Sequence, residues 1–533
     1  MRIRFLAWPL LASLCAASCG DSVTPFQRAV AAIGGEDALA GLERFQIDAD
    51  GKRFIDYESP EPGEAEEVSA YKASYKIDLT ADSVRADMER TPLFEALSSF
   101  PAANYSIVLN GRIGGLTAQA GFVAPGSLPS QHVAALRRQQ LLFNPHLFLR
   151  GGLSDPGLVG DGGEVDFDGR PHDIVVIADT VSEVRLFVDR QNGFISKLET
   201  LENNILVRDF LQEVRYRDWS ERGALAFPDT VELYADGLLV QQETRTSAAT
   251  NPTFPPDTFD LPPEAGEPVL DAEAYSFGET THQVFESFFH LAFVYGGDVS
   301  TKTTALAPGV TLVGEGDANS LAVELEQGLI LFEAPQTPKH GTKLVATLAE
   351  AFPGKSVTHV VQSHYHQDHA SGVRSLVAAD AAVVIASQVR AFWDRVLSAE
   401  STVRPDALSA VDVEPRFVEV PKDGSHVFEE DGISVTVHQL SANPHADDML
   451  ITVIDTGGER LVFEADLYNA GYGLTLVLGG PESLFAGLRE LGIVDARCQS
   501  SVPLTIVPVH GAPHSLSDSL AELDGQGIDV GCR

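Results

Sequence analysis

SHYHQDHASG, residues 363–372, is the stretch that decides how this chain reads. It sets His364, His366, Asp368 and His369 within six positions, directly after the apolar, β-branched run 357–361. Three imidazoles and a carboxylate that close together can hold two borderline-soft cations. A strand delivering such residues into a loop is how a rigid scaffold presents a metal site.

Working outward, three more candidate ligands each sit just past a strand-like run. His445 lies in SANPHADDM after the run 435–440, Asp466 in LVFEADLY after 461–463, and His510 follows 505–509. Functional residues at strand ends are the expected layout of an α/β scaffold. The rest of this half fits that scheme. Strands are expected at 310–313, 321–325, 329–332, 357–361, 382–386, 435–440, 450–455, 461–463 and 505–509, and helices at 342–351, 372–378 and 483–491. Mixed strands with interspersed helices imply α/β layers with the helices outside.

The order His-x-His-x-Asp-His, then a distant His, a bridging Asp and a last His resembles the metallo-β-lactamase superfamily over about residues 305–515. The resemblance implies an αββα sandwich and a dizinc hydrolase. It implies a first zinc held by His364, His366 and His445, a second held by Asp368, His369 and His510, and Asp466 bridging both. Two zincs sharing a water lower its pKa towards neutrality, so that it can attack an electrophilic carbonyl. Asp368 is the candidate catalytic residue, orienting or accepting the proton of that water. Diiron relatives usually carry Glu at the second motif position, where this chain has His366. That favours zinc, with manganese, iron or cobalt as other occupants. The metallo-β-lactamases proper usually carry Cys or Ser where Asp466 stands. The expected reaction is therefore hydrolysis of a small-molecule ester, thioester, lactone or amide. The alternatives are a true β-lactamase, or an exported carrier or binding lipoprotein with a structural or vestigial metal site. Asp448 is either a hydrogen-bond partner of a ligand histidine or a surface carboxylate. Tyr468 and Tyr472 either donate to an oxyanion or pack.

The first half changes character. Its runs 45–55, 71–86, 105–109, 174–178, 184–188, 195–199, 207–216, 230–234 and 238–245 read as strands, separated by turn signals such as Asn192-Gly193 and Asp236-Gly237. Helical spacing is found at 27–45, broken by Gly34-Gly35, and at 131–143, which stops before Pro145. The expectation is a β-rich, half-barrel-like domain over 27–262. His132, His146 and His172 are read there as surface or packing residues. The start AIGGEDALAGLERF and the closing TFDLPP make this half similar to the periplasmic lipoprotein-carrier type of half-barrel. Five prolines in residues 250–266 mark a linker or domain edge, with the metal-binding domain expected over 266–533.

The 533 residues exceed one ordinary core, and 44% hydrophobic content is enough for two. A net charge of −39 repels phosphate backbones, so the expected partner is a small molecule and not nucleic acid. Arg2 and Arg4 precede the apolar run 5–17, and small residues precede Cys19, which fits a signal segment over 1–19. Its end reads either as a signal-peptidase site or as an imperfect lipobox that would leave Cys19 lipidated. The chain is thus expected to be exported, periplasmic or lipid-anchored facing the periplasm, touching a membrane only through that anchor. Past the signal segment, only Cys498 and Cys532 remain, either as a pair or as two thiols.

Overall fold

The structure, a computed structural model, describes residues 23–55, 59–92, 103–118, 125–179, 181–265, 300–316, 318–430, 432–440, 442–471 and 477–532. The expected signal segment and the start of the second domain at 266 lie outside these residues.

Alternation of buried and part-exposed residues along Arg44–Ile55 makes it a strand with one face in a core. This is β1, and the chain continues as β2 (Glu66–Asp78), β3 (Ser83–Pro92), β4 (Ala103–Asn110), β5 (Ile113–Leu116) and β6 (Gly126–Ser127). After a helical crossover follow β7 (Val159–Phe167), β8 (Arg170–Ile177), β9 (Val184–Asp189), β10 (Ile195–Asn204), β11 (Arg208–Arg222), β12 (Leu225–Ala235) and β13 (Leu238–Thr250). All thirteen join one antiparallel sheet, in the order β6-β5-β4-β3-β2-β1-β13-β12-β11-β10-β9-β8-β7. Two meanders are thus fused where the first strand pairs with the last, Phe45 opposite Thr250. The Asp236-Gly237 signal is a two-residue turn with both φ positive, the geometry a tight hairpin requires. The run 71–86, read from sequence as one strand, is two: the chain reverses between β2 and β3, with Asp82 at φ 51. No Gly or Pro announces that turn.

Short helices α1 (Pro25–Ala32) and α2 (Glu36–Ala40) precede the sheet, and α3 (Ser130–Phe143) and α4 (His146–Ser154) form the crossover. The helix α3 lies on the buried face. Its Gln139 donates to Gln241 of β13 at 3.2 Å, and Arg138 donates to Glu202 of β10 at 2.7 Å. His132, His146 and His172 are all buried, so they pack and none lies on the surface. The proline-rich segment is an edge and not a free linker. Asn110 donates to the Phe259 carbonyl at 2.8 Å, and Ser127 to that of Ala265 at 3.1 Å.

The second half has two sheets face to face. One comprises β14 (Thr303–Ala307), β15 (Val310–Val313), β16 (Ser320–Leu325), β17 (Gly328–Phe332), β18 (Val357–Val361), β19 (Ala382–Ala386) and β20 (Phe417–Val420), in that order and parallel from β17 onward. The other comprises β21 (Ser425–Glu430), β22 (Ile433–Gln439), β23 (Leu450–Asp455), β24 (Arg460–Glu464), β25 (Leu504–Pro508) and β26 (His514–Ser515), with β24 and β25 parallel. Phe332 and Phe463 meet between them, ring centroids 5.6 Å apart. Among the helices of this half, α5 (Pro338–Ala351) packs on α7 (Val373–Ala378), which lies against β18 and β19; α6 (Gln367–Ala370) precedes α7, and α8 (Arg390–Ser398) follows β19. The helices α9 (Gly480–Glu490) and α10 (Leu516–Gly525) cover the second sheet, burying Leu484, Phe485, Leu488 and Leu523 against Val462 and Ile506. This is the αββα sandwich. A disulfide joins Cys498 to Cys532 and ties down the tail beyond α10.

The two halves touch through buried polar contacts. Arg208 at the start of β11 donates to Ser401 at 3.1 Å and to the Arg404 carbonyl at 2.9 Å. Its neighbour Asp209 accepts from the Thr402 amide at 2.6 Å.

Candidate metal centre

All seven residues singled out in the sequence converge where the two sheets of the sandwich meet. The first sheet supplies His364 and His366 from the loop after β18, and Asp368 and His369 from α6. The second supplies His445 between β22 and β23, Asp466 after β24 and His510 after β25. The buried valines of β18 anchor the loop from one side. On the other side, Gly372 makes a contact that only glycine permits: a Cβ there would lie 2.7 Å from the Ala334 carbonyl and 3.1 Å from the Gly341 Cα. That close approach seats α7 against α5 and holds the metal loop between them.

The donors fall into two groups that share one carboxylate. His364, His366, His445 and Asp466 offer ligand atoms all within 4.8 Å of one another, and so do Asp368, His369, His510 and Asp466. Asp466 reaches both, its Oδ2 facing histidines of each group and its Oδ1 a histidine of the second. Its Oδ2 lies 2.9 Å from His369 Nε2, 3.0 Å from His445 Nε2 and 3.5 Å from His364 Nε2, while its Oδ1 lies 3.5 Å from His510 Nε2. Asp466 adopts φ 62, an uncommon backbone state for a non-glycine residue and one that concentrates at functional sites.

Hydrogen bonding alone does not satisfy this cluster. His364 Nε2, Asp368 Oδ1 and both ring nitrogens of His369 are buried with no aligned hydrogen-bond partner, despite the short separations. Lone pairs aimed at common points, in a set of imidazoles and carboxylates, are the donor chemistry of zinc-type cations, so the residues fit such ions. Electrostatics agree. Burial pushes the His364 imidazole down to about 3 and His366 well below its ordinary value, which keeps their nitrogens neutral and free to ligate. Burial also pulls on His369, but the flanking carboxylates of Asp368 and Asp466 outweigh it and raise that imidazole well above its usual value. Burial drives both carboxyls upward, and the facing His369 overrides it and holds them well below the usual range.

The supporting residues were only partly foreseen. Asp448 is buried, which settles it against the surface alternative, and burial raises its carboxyl to about 8. It accepts from the Tyr365 amide, so it braces the metal loop and not an imidazole. The Tyr468 hydroxyl donates to Glu522 at 2.8 Å and packs away from the centre; Tyr472 lies outside the described residues. His514 pairs with Glu522 at 3.2 Å and belongs to neither donor group. Sequence reading missed Glu333 and Glu464. Glu333 directly follows β17, accepts from the Ser363 amide at 2.7 Å and stands 3.5 Å from His369 Nδ1. Glu464 ends β24 and accepts from the Tyr468 amide at 3.1 Å. An acid terminating an apolar strand was the signal that could have found both. Ser363 Oγ lies 2.8 Å from His364 Nδ1, which leaves Nε2 to face the cluster.

Residues 313–467 match the family model of the metallo-beta-lactamase superfamily. No curated protein matches the chain. Among solved structures, the chain is similar to a metallo-beta-lactamase with a HARLDQ motif from Cronobacter sakazakii, at 18% identity over 40% of this chain and 79% of that one, TM-score 0.29. It is similar to one from Hirschia baltica, at 14% identity over 42% and 96%, TM-score 0.30. It is also similar to the metallo-beta-lactamase FIM-1 of Pseudomonas aeruginosa, at 15% identity over 44% and 99%, TM-score 0.31. With its two-sheet sandwich and the match over 313–467, the C-terminal part of this chain belongs to the metallo-beta-lactamase superfamily.

Proposed function

We propose that the C-terminal domain is a two-metal hydrolase acting on an ester, thioester, lactone or amide of a small molecule. The observation that carries this reading is the pair of donor groups sharing Asp466. Zinc-type ions held there would supply Lewis acidity and a water of near-neutral pKa. His364, His366 and His445 would hold one ion, Asp368, His369 and His510 the other, and Asp466 both.

This chain's residues do the rest. Burial keeps His364 and His366 neutral, so each presents a lone pair. The Asp368 carboxylate, kept ionised by His369, stands at the mouth of the second group with Oδ2 3.3 Å from His510 Nε2. It is placed to take a proton from the attacking water and return it to the leaving group. The walls from both sheets exclude bulk water, which strengthens every charge interaction inside.

A net charge of −39 disfavours a polyanionic substrate such as nucleic acid. The disulfide supports an oxidising compartment, in line with export through the segment 1–19 and an anchor at Cys19. The test is a panel of chromogenic esters, thioesters, lactones and a cephalosporin, with metal analysis of the same sample. We expect about two zinc-type ions per chain and chelator-sensitive turnover of at least one carbonyl class. Metal without turnover on any class would leave a carrier or binding protein. Cephalosporin turnover matching the esters would make it a true β-lactamase.

A further inference from the structure

The first-half sheet reaches into this centre at one point. The connection between β1 and β2 contains Ser59, which is 1% exposed and lies against the metal loop. The Ser59 carbonyl accepts from His366 Nε2 at 2.9 Å and also from the Tyr365 hydroxyl. A carbonyl oxygen has no proton to give, so Nε2 carries the hydrogen. That fixes the tautomer of His366 and leaves Nδ1 as its ligating nitrogen. The loop is itself braced: Ser59 Oγ donates to the carbonyls of Glu61 at 3.0 Å and Glu64 at 3.1 Å. One residue on, the Pro60 carbonyl accepts from the Asp447 amide at 3.0 Å, beside His445. The two histidines so approached belong to the same donor group.

We propose that Ser59 is a positioning residue for the first metal, and that the first domain completes the metal centre of the second. A ligating imidazole is oriented by what its other nitrogen donates to, and losing that acceptor costs about 10- to 100-fold in metal affinity. Here the acceptor is a backbone carbonyl from a different domain, 307 residues away along the chain. The effect falls on the His364–His366–His445 group, to which the contacted imidazole belongs. The inference rests on the proposed function only in that the centre holds metal.

The test uses the full chain with residues 59–65 deleted. Ile55 and Glu66 are paired, so residues 56–58 would close the hairpin as an ordinary three-residue loop. Zinc affinities by chelator competition and the absorption of the cobalt-loaded protein are read beside melting of the metal-free form. We expect one ion to weaken by about 10- to 100-fold with an altered cobalt spectrum, the other to bind as in wild type, and melting to change little. The Ser59→Ala variant keeps the chain length and the carbonyl while releasing the loop brace and the 3.1 Å contact of Oγ with the Tyr365 hydroxyl, so it guards against misfolding of the deletion; a smaller loss at the same ion is expected. Wild-type affinity for both ions and an unchanged spectrum in both variants would overturn the proposal. A wild-type chain that takes up no metal would instead sink the two-metal reading itself.

Discussion

Two clusters of buried polar side chains, one in each half, look alike in composition and differ in what they leave undone. In the first sheet, Glu243 Oε1 accepts from the Tyr71 hydroxyl at 2.9 Å and the Tyr75 hydroxyl at 2.7 Å. Nearby, Arg138 grips Glu202 and Asp179 at 2.7 and 2.6 Å. Opposite charges and donors meet in hydrogen-bond geometry, and although Glu243 Oε2 is left over, no group of imidazoles and carboxylates converges on it among the described residues. In the metal centre the separations are as short, yet His364 Nε2 and both His369 nitrogens find no aligned partner. Burying such groups unsatisfied is costly, and it is tolerated where something else completes them. Donors facing acceptors are architecture, while lone pairs converging on one another are a binding site.

The largest effect that could break this contrast is at Asp466. The Asp466→Asn variant removes the carboxylate common to both donor groups, and we expect metal content to fall from two ions per chain and turnover to drop by about 10³-fold or more. Retention of both ions, measured on protein of wild-type secondary structure, would mean that the open cluster is not held together by metal. In the first sheet, Glu243→Ala strands two tyrosine hydroxyls and should destabilise the first domain by about 2 to 4 kcal/mol. Metal content should stay unchanged, and chemical denaturation with metal analysis reads both.

The most gradual effect is acid sensitivity. Burial pushes His132 and His146 down to about 4, against an ordinary value of 6.5. Between pH 6.5 and 4 the unfolded chain binds protons that the folded chain refuses. Stability is therefore full above that window and falls as pH drops through it, by about 1.4 kcal/mol per group for each pH unit. Melting curves from pH 7.5 to 4.5 should show this slope in the first domain with metal or chelator alike, and His146→Gln should make it shallower. A slope that vanishes on metal loading would tie these histidines to the centre and blur the contrast.

How much of this was legible in the sequence follows the same division. The seven convergent residues could be read because imidazole and carboxylate are rare, specific letters, and because each follows an apolar strand. The helix at 130–143 was equally plain from its periodicity and the proline behind it. The strands β14 and β21 were missed: their side chains are largely exposed or only half-buried, so no hydrophobic run marks them. The helices α8 and α10 were missed as well, although Ser515 caps α10 by accepting from the Asp518 amide. Glu333 and Glu464 read as ordinary acids until the fold placed them at 0% exposure. Ser59 could not have been found at all. Its contribution is a carbonyl group, which every residue carries, and only tertiary structure decides which one meets an imidazole.

The pairing of β1 with β13 sets an order of assembly. The hairpin bearing Ser59 is local and can form early, but the middle of its sheet closes only after roughly two hundred further residues have been made. The loop that His366 leans on is thus carried by a sheet whose own closure needs none of the sandwich beyond it. An ion held by His366 would therefore need both bodies in place, and its uptake would report on their docking as much as on either fold.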